Sequence, residues 1–184
     1  QQAVVPVWGW AAPGERVTVA FAGQSKETVT KADGTWSLKL DALQASAEPA
    51  RLEVRGANTL TFTDVVVGEV WFCSGQSNMG FTVKSANDAE KEIASADYPR
   101  IRLFSVPLLG TQEAQYDCKG QWVVCSPETV GSFSAVGYFF GREVFRKLKM
   151  PVGLINTSWG GSSCEAWVRR AVLEADAKYA EMLE

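Results

Sequence analysis

The chain of 184 residues contains no histidine. General acid and base work near neutral pH falls most often to imidazole, so the chain cannot by itself supply the usual proton acceptor for a serine or cysteine nucleophile. The four cysteines, Cys73, Cys118, Cys125 and Cys164, form no C-x-x-C pair, so a zinc site is not expected, nor any other metal or cofactor. Cys118 and Cys125 flank a short hydrophobic stretch and could close a small disulfide loop, although free thiols are the favoured reading. Long apolar runs are missing too: none approaches the roughly 20 residues that span a bilayer, and no membrane partner is expected. Gln1 opens without a basic n-region and an apolar h-region, so a targeting segment was removed or never existed. Charge of one sign is also lacking. The formal net charge is -3 with acids and bases interspersed, which leaves no basic stripe for nucleic acid.

What is there, 46% hydrophobic and 21% charged residues, suffices for one generous domain or two modest ones. From Val4 to about Val67 the chain reads as short strands, with alternating runs at Glu15 to Phe21 and Thr35 to Leu40. Further runs lie at Arg51 to Val54 and Thr59 to Phe62, separated by Gly56, Ala57 and Asn58. Asp33-Gly34 has the composition of a two-residue hairpin turn. The pattern predicts a small antiparallel sheet or sandwich over residues 1–67. After Val67 apolar strands alternate with helices, which predicts a parallel sheet covered on both faces over residues 68–184. Its strands are expected at Val70 to Ser74, Arg100 to Val106 and Val152 to Asn156. A helix is expected at Asn87 to Ala96, capped by Asn87 or Ser85 and facing inward at Ala89, Ile93 and Ala96. A second, capped by Ser134, carries an apolar stripe of Val136, Phe140 and Val144 widened by Phe139, and a third runs from Glu165 to about Leu183.

Two segments, Val70 to Met79 and Val152 to Ser163, share one layout: a buried strand running into a polar, glycine-bearing turn. Ligands of open α/β sheets bind beyond the carboxyl ends of the strands, so Ser77 and Gly160-Gly161 would border one crevice if their strands are neighbours. In Gly75-Gln76-Ser77-Asn78-Met79 a small hydroxyl sits on a turn beside a glycine, which suits attack on a carbonyl but equally suits a serine capping the next helix. The G-x-S-x-G elbow of α/β-hydrolases is absent. Gly160-Gly161 would let backbone N–H groups face a cleft, as an oxyanion hole requires, yet such a pair is more often only a turn. Lys84, the nearest lysine after Ser77, precedes a polar helix start and lacks the desolvation a base lysine needs. Glu69, Asp88 and Glu165 read as surface or capping groups. Of the seven tryptophans, Trp159 would border the crevice; Trp8, Trp10, Trp36 and Trp122 read as core, and Trp71 and Trp167 are open.

Three stretches in order then resemble the sialate O-acetylesterase family of SGNH-type serine hydrolases: Gly68-Glu69-Val70-Trp71-Phe72-Cys73-Ser74-Gly75-Gln76-Ser77-Asn78-Met79, Phe133-Ser134-Ala135-Val136-Gly137-Tyr138-Phe139-Phe140-Gly141-Arg142-Glu143, and Pro151 to Trp167. Pro6-Val7-Trp8-Gly9-Trp10-Ala11 and Asp33-Gly34-Thr35-Trp36 are similar to the family's N-terminal β domain. The resemblance implies Ser77 as nucleophile, its own N–H and that of Gly160 or, preferably, Gly161 in the oxyanion hole, Asn78 and Trp159 near substrate, and an extracytoplasmic location, secreted or periplasmic. It implies an O-acetylated sugar substrate, sialic acid first, with acetylated xylan or another polysaccharide as alternative. The family's Gln-Gly-Glu-like segment and its Asp-x-x-His motif have no counterpart before Glu184. The chain is therefore expected to be a fragment, a processed product or one subunit, partnered by a second segment of the same precursor that carries Asp and His. A non-catalytic carbohydrate-binding module is the competing class. The missing histidine favours it, and the ordered pair of serine and Gly-Gly turns speaks against it.

Overall fold

The computed structural model describes residues 1–111 and 113–183. Six strands come first: β1 (Val5–Trp10), β2 (Arg16–Phe21), β3 (Gln24–Val29), β4 (Thr35–Leu40), β5 (Ser46–Arg55) and β6 (Thr59–Val67). β1 pairs with β4, and the others form an antiparallel sheet in the order β3-β2-β5-β6. Val17, Val19 and Phe21 of β2 meet Trp36, Leu40 and Leu43 in a shared core. Asp33-Gly34 is not a hairpin turn between paired strands. It carries the chain from β3 in one sheet to β4 in the other, with Asp33 Oδ1 accepting the Thr35 N–H at 2.9 Å. The hairpin is instead at Ala22-Gly23, where both residues have positive φ, as a tight two-residue connection requires.

Of the tryptophans read as core, Trp36 is buried, but Trp8 is 64% and Trp10 58% exposed. The two-residue period of β1 decides this. Val5 and Val7 pack on the core and Gly9 lies opposite Trp36, so Trp8 and Trp10 point outward.

Beyond Val67 follow β7 (Glu69–Gly75), α1 (Ser77–Gly80), α2 (Ala89–Ala94), β8 (Tyr98–Ser105), β9 (Val123–Cys125), α3 (Pro127–Val130), α4 (Ala135–Leu148), β10 (Val152–Ser158), α5 (Arg170–Glu174) and α6 (Ala180–Leu183). The strand order is β7-β10-β8-β9, with the first three parallel and β9 antiparallel at one edge. Cys73, Ile101, Leu103, Val152 and Leu154 point to one face, where Val130, Phe133, Ala135 and Tyr138 bury them. The opposite face is not covered as the strand and helix alternation predicts. Val70, Phe72, Trp122 and Val124 are exposed there, Phe72 by 72%, with the Trp122 ring tilted against Phe104 and lying over Gly153. Trp122 is thus not a core residue among the described residues. β6 reaches this face at Asp64, whose carboxylate takes both hydrogen bonds of Arg102 Nη2, at 2.8 and 2.9 Å.

The helix over α4 is capped as expected, with Ser134 Oγ accepting the Gly137 N–H at 3.0 Å. Its buried stripe is not Val136 and Phe140, which are 48% and 42% exposed. Ala135, Gly137, Tyr138 and Gly141 face the sheet instead, with Val144 and Phe145 packing at the margin. Helix and sheet approach so closely that a Cβ on Gly141 would lie 2.5 Å from Leu154 Cδ1. At Gly137 and Gly141 the seam therefore selects small residues, which a search for large apolar side chains passes over, while Tyr138 is fully buried beside them. Phe140 instead meets the edge strand, its ring 5.1 Å from that of Trp71.

Two other expectations need correction. α2 is shorter than Asn87–Ala96, and neither Asn87 nor Ser85 caps it; Asp88 precedes it in a left-handed conformation with no side-chain cap. Ile93 and Ala96 face the core as expected. The long helix from Glu165 is broken into a 3₁₀ turn at Glu165–Trp167, α5, a second 3₁₀ turn at Ala177–Tyr179 and α6. Val168 and Arg169 are extended, Asp176 caps a new turn through the Lys178 N–H, and only Leu173 is buried in these four elements. Without an apolar stripe to dock, helix propensity alone does not carry the segment. Cys118 is exposed and Cys125 buried, with no bridge between them; burial pushes the Cys125 thiol up to about 12 and raises that of Cys73.

α2 is tied to α4 at Glu92, which accepts the Tyr138 hydroxyl at 2.7 Å and pairs with Arg142. Burial works against ionisation of Glu92, but these hydrogen bonds outweigh it and hold the carboxyl below its ordinary value. The carboxylate therefore adds stability that is complete above the ordinary glutamate range and is lost as pH falls through the depressed pKa. Glu92→Gln should destabilise by about 1–2 kcal/mol at neutral pH. In urea unfolding the difference between the two proteins should shrink toward pH 3; a gap independent of pH would contradict the charged pairing.

Candidate active site

The parallel pairing of β7 with β10 ends with Ser158 opposite Gly75. Both strands therefore release their turns at one sheet edge, as the two-segment layout anticipates. Past the last paired residues, Trp159 N–H still donates to the Gly75 carbonyl at 3.0 Å. From Gly75 the chain enters α1, closed by Gly80 N–H on the Gln76 carbonyl at 2.9 Å, and Ser77 is its first residue. Ser77 and Asn78 are exposed. They share a cavity of about 440 Å³ with Gly75, Gln76, Met79 and Val136. Met79 and Val136 form its apolar wall, and Ser134 Oγ donates to Met79 Sδ at 3.4 Å, fixing α4 against α1. Val136, expected in the core, is thus a wall of the cavity beside the serine.

Trp159 to Ser162 form a tight turn in which Ser162 N–H and Oγ donate to the Trp159 carbonyl at 3.4 and 2.7 Å. Gly161, the third residue, has φ +79°, the left-handed value that a turn of this kind reserves for glycine, whereas Gly160 is not in that region. Gly160 is the residue that abuts the serine: a Cβ built on it lies 3.3 Å from Ser77 Oγ and 3.6 Å from Ser77 Cα. A Cβ on Gly161 meets no atom within 4 Å, so its constraint is conformational and not the crowding by protein atoms that its place in the turn might suggest. Trp159 is 40% exposed and lies outside the cavity lining, with a ring atom 4.0 Å from a Cβ built on Gly110.

Among the described residues, the Ser77 hydroxyl makes no hydrogen bond to a side chain that could take its proton; the chain has no imidazole to offer. Lys84 is exposed on the 3₁₀ turn Val83–Ser85. Glu165 is held below its ordinary value by hydrogen bonds from its own N–H, Cys164 and Ser163, as a capping group would be. No group of three or more Cys, Asp or Glu lies together as a metal site would need, and no helix is long and apolar enough to cross a membrane, among the described residues.

The Ser77 hydroxyl and the Gly160-Gly161 turn thus lie side by side beyond the ends of β7 and β10. The model of a carbohydrate esterase family described as sialic acid-specific acetylesterase matches residues 67–184. The chain belongs to this family. Sialate O-acetylesterase of Mus musculus is 35% identical over 92% of the chain, and that of Homo sapiens 33% over the same share. A carbohydrate acetylesterase from Xanthomonas citri superposes with a TM-score of 0.90 at 36% identity, covering 97% of this chain and 41% of that one. The chain spans only 35% of the mouse protein's length and 36% of the human one's.

Sequence reasoning did not anticipate three features of this family member's site. The Gln76 side chain reaches Ser162, Met79 and Val136 wall the cavity, and Ser134 touches Met79 as well as capping α4. Gln76 and Met79 stand in the serine motif itself, but only the register of β7 on β10 shows where they point. The distinction between the two glycines predicts different costs. Gly161→Ala forces a side chain into left-handed backbone at about 1–2 kcal/mol, while Gly160→Ala meets a single rotatable hydroxyl. Thermal unfolding should show the larger loss of Tm for Gly161→Ala, and the reverse order would contradict the turn geometry.

Proposed function

We propose that the chain carries the nucleophile half of a carbohydrate O-acetylesterase site that acts on O-acetylated sialic acids. The observation that carries this reading is the closeness of the two turns, a Cβ built on Gly160 falling 3.3 Å from the Ser77 hydroxyl. In this reading Ser77 is the nucleophile of an SGNH-like hydrolase domain that starts at residue 68, and residues 1–67 are a small β-sandwich-like domain before it. The Ser77 N–H and that of Gly160 or Gly161 form part of the oxyanion hole, and Asn78 and Trp159 lie where the sugar would approach.

The reaction is acyl transfer. A base removes the Ser77 proton as Oγ attacks the acetyl carbon, and the proton passes to the departing sugar oxygen. Water, deprotonated by the same base, then attacks the acetyl-serine, the bond to Oγ breaks to release acetate, and the base returns the proton to Ser77 Oγ. Each oxyanion donor can contribute roughly 3–4 kcal/mol to the transition state.

The base, an Asp-oriented His, belongs in this reading to a further segment of the same precursor. Two observations go with further chain of some kind: the mouse relative is about three times as long, and the second sheet face leaves Val70, Phe72, Trp122 and Val124 uncovered. An extracytoplasmic location goes with acetylated glycans as substrate. Acetylated xylan is the alternative substrate, because the acyl end of the site recognises acetate and not the sugar.

In the protein produced from the full reading frame, Ser77→Ala should remove acetyl-ester hydrolysis by several orders of magnitude while leaving the fold intact, because the members of a triad act as one unit. Unchanged hydrolysis would contradict the assignment of Ser77. Gly161→Ala should lower kcat far more than it raises KM; a change confined to KM would make the turn a sugar contact.

A further inference from the structure

The two turns at the sheet edge are held together by very little. Trp159 N–H on the Gly75 carbonyl is the last backbone bond between them. Beyond it, the link from the serine turn is a side chain: Gln76 Nε2 donates to the Ser162 carbonyl at 2.6 Å, across 86 residues of sequence. Ser162 is in turn fixed from the other side. Its hydroxyl donates to the Trp159 carbonyl at 2.7 Å and accepts the Trp167 indole N–H at 2.8 Å. Gly160 and Gly161 are thus the two central residues of a turn whose far end is clamped by Gln76 and braced by Trp167.

We propose that Gln76 is a positioning residue for the esterase site, setting the distance between the Gly160-Gly161 turn and Ser77, with Trp167 acting on the same turn through Ser162. This rests on the reading of Ser77 as nucleophile. Two glycines in succession make a turn with little resistance to rocking, and an oxyanion hole works only when its donors are already aimed at the developing charge. A side chain that ties the end of that turn to the residue preceding the nucleophile supplies the missing stiffness. Gln76 is exposed and Ser162 half-buried, so water can take over both hydrogen-bonding groups when the link is removed. The loss therefore falls on alignment and little on stability.

The test uses the protein produced from the full reading frame and an acetyl ester. Gln76→Ala should lower kcat by about 10- to 100-fold, the scale of a misplacement near 1 Å, with KM within about twofold and Tm unchanged. Gln76→Glu keeps the shape but replaces the donor by an acceptor facing the Ser162 carbonyl, and should lose at least as much. Trp167→Phe, which deletes only the indole N–H from the relay, should lower kcat less. The double variant Gln76→Ala/Trp167→Phe should lose less than the product of the two single effects, since both act on one turn. Wild-type kcat in Gln76→Ala and Gln76→Glu, a change in KM alone, or a loss that merely follows a fall in Tm would overturn the proposal. Ser77→Ala, measured in parallel, separates the two readings. If it is inactive while Gln76→Ala retains full kcat, only the positioning role fails. If it stays active, the nucleophile assignment fails and takes this proposal with it.

Discussion

Seven residue pairs join β7 and β10, from Val152 opposite Glu69 to Ser158 opposite Gly75, and the placement of both turns follows from that ladder. Parallel strands release their following loops at the same edge, so a hydroxyl 2 residues beyond Gly75 and a Gly-Gly turn 2 residues beyond Ser158 arrive side by side without any contact between them in sequence. A slip of one residue would turn Cys73 or Leu154, whichever strand moved, away from α4 and carry Ser77 away from Gly160. The buried seam of Gly137 and Gly141 against Cys73 and Leu154 guards against that slip, because only this register brings the small residues under the strand side chains. The packing that fixes the register also fixes the site.

The same seam explains how α4 contributes. Because Ala135, Gly137, Tyr138 and Gly141 form its buried stripe, Val136 and Phe140 fall on other surfaces. Val136 walls the cavity beside Ser77, and Phe140 meets Trp71 edge to face at the sheet edge. Ser134 joins the two tasks, capping the helix and touching Met79. Core packing and site construction are here two faces of one helix turn.

Much of this was legible in the amino-acid sequence. β7, β8, β10 and α4 stand within a few residues of where apolar runs and the Ser134 cap place them, and the serine and Gly-Gly turns meet as their shared layout implies. What was misread has physical causes. Trp8 and Trp10 are large and apolar, yet strand parity turns them outward once Gly9 lies opposite Trp36. Ala135, Gly137 and Gly141 carry little hydropathy, so the stripe reads as centred on Val136 and Phe140, although Phe139 and Val144 of the expected stripe do pack on the core. The residues after Glu165 favour helix locally but have nothing to dock against, and they break into single turns. The second sheet face reads as buried because Val70 and Phe72 are apolar, and composition does not say what covers them. Gln76 was in view from the start, but a link to a carbonyl 86 residues away is a tertiary fact.

On the proposed reading Ser77 carries a reactive hydroxyl, and the chain has no histidine to serve it as base. The most direct measurement is the rate and position of labelling by a serine-directed fluorophosphonate, with residues 1–184 produced alone and together with the segment that follows them in the reading frame. The account predicts slow labelling alone, fast labelling with the added segment, and a mass tag at Ser77. A soluble monomer of residues 1–184 that labels rapidly at Ser77 unaided, or a tag on any other residue, would contradict it.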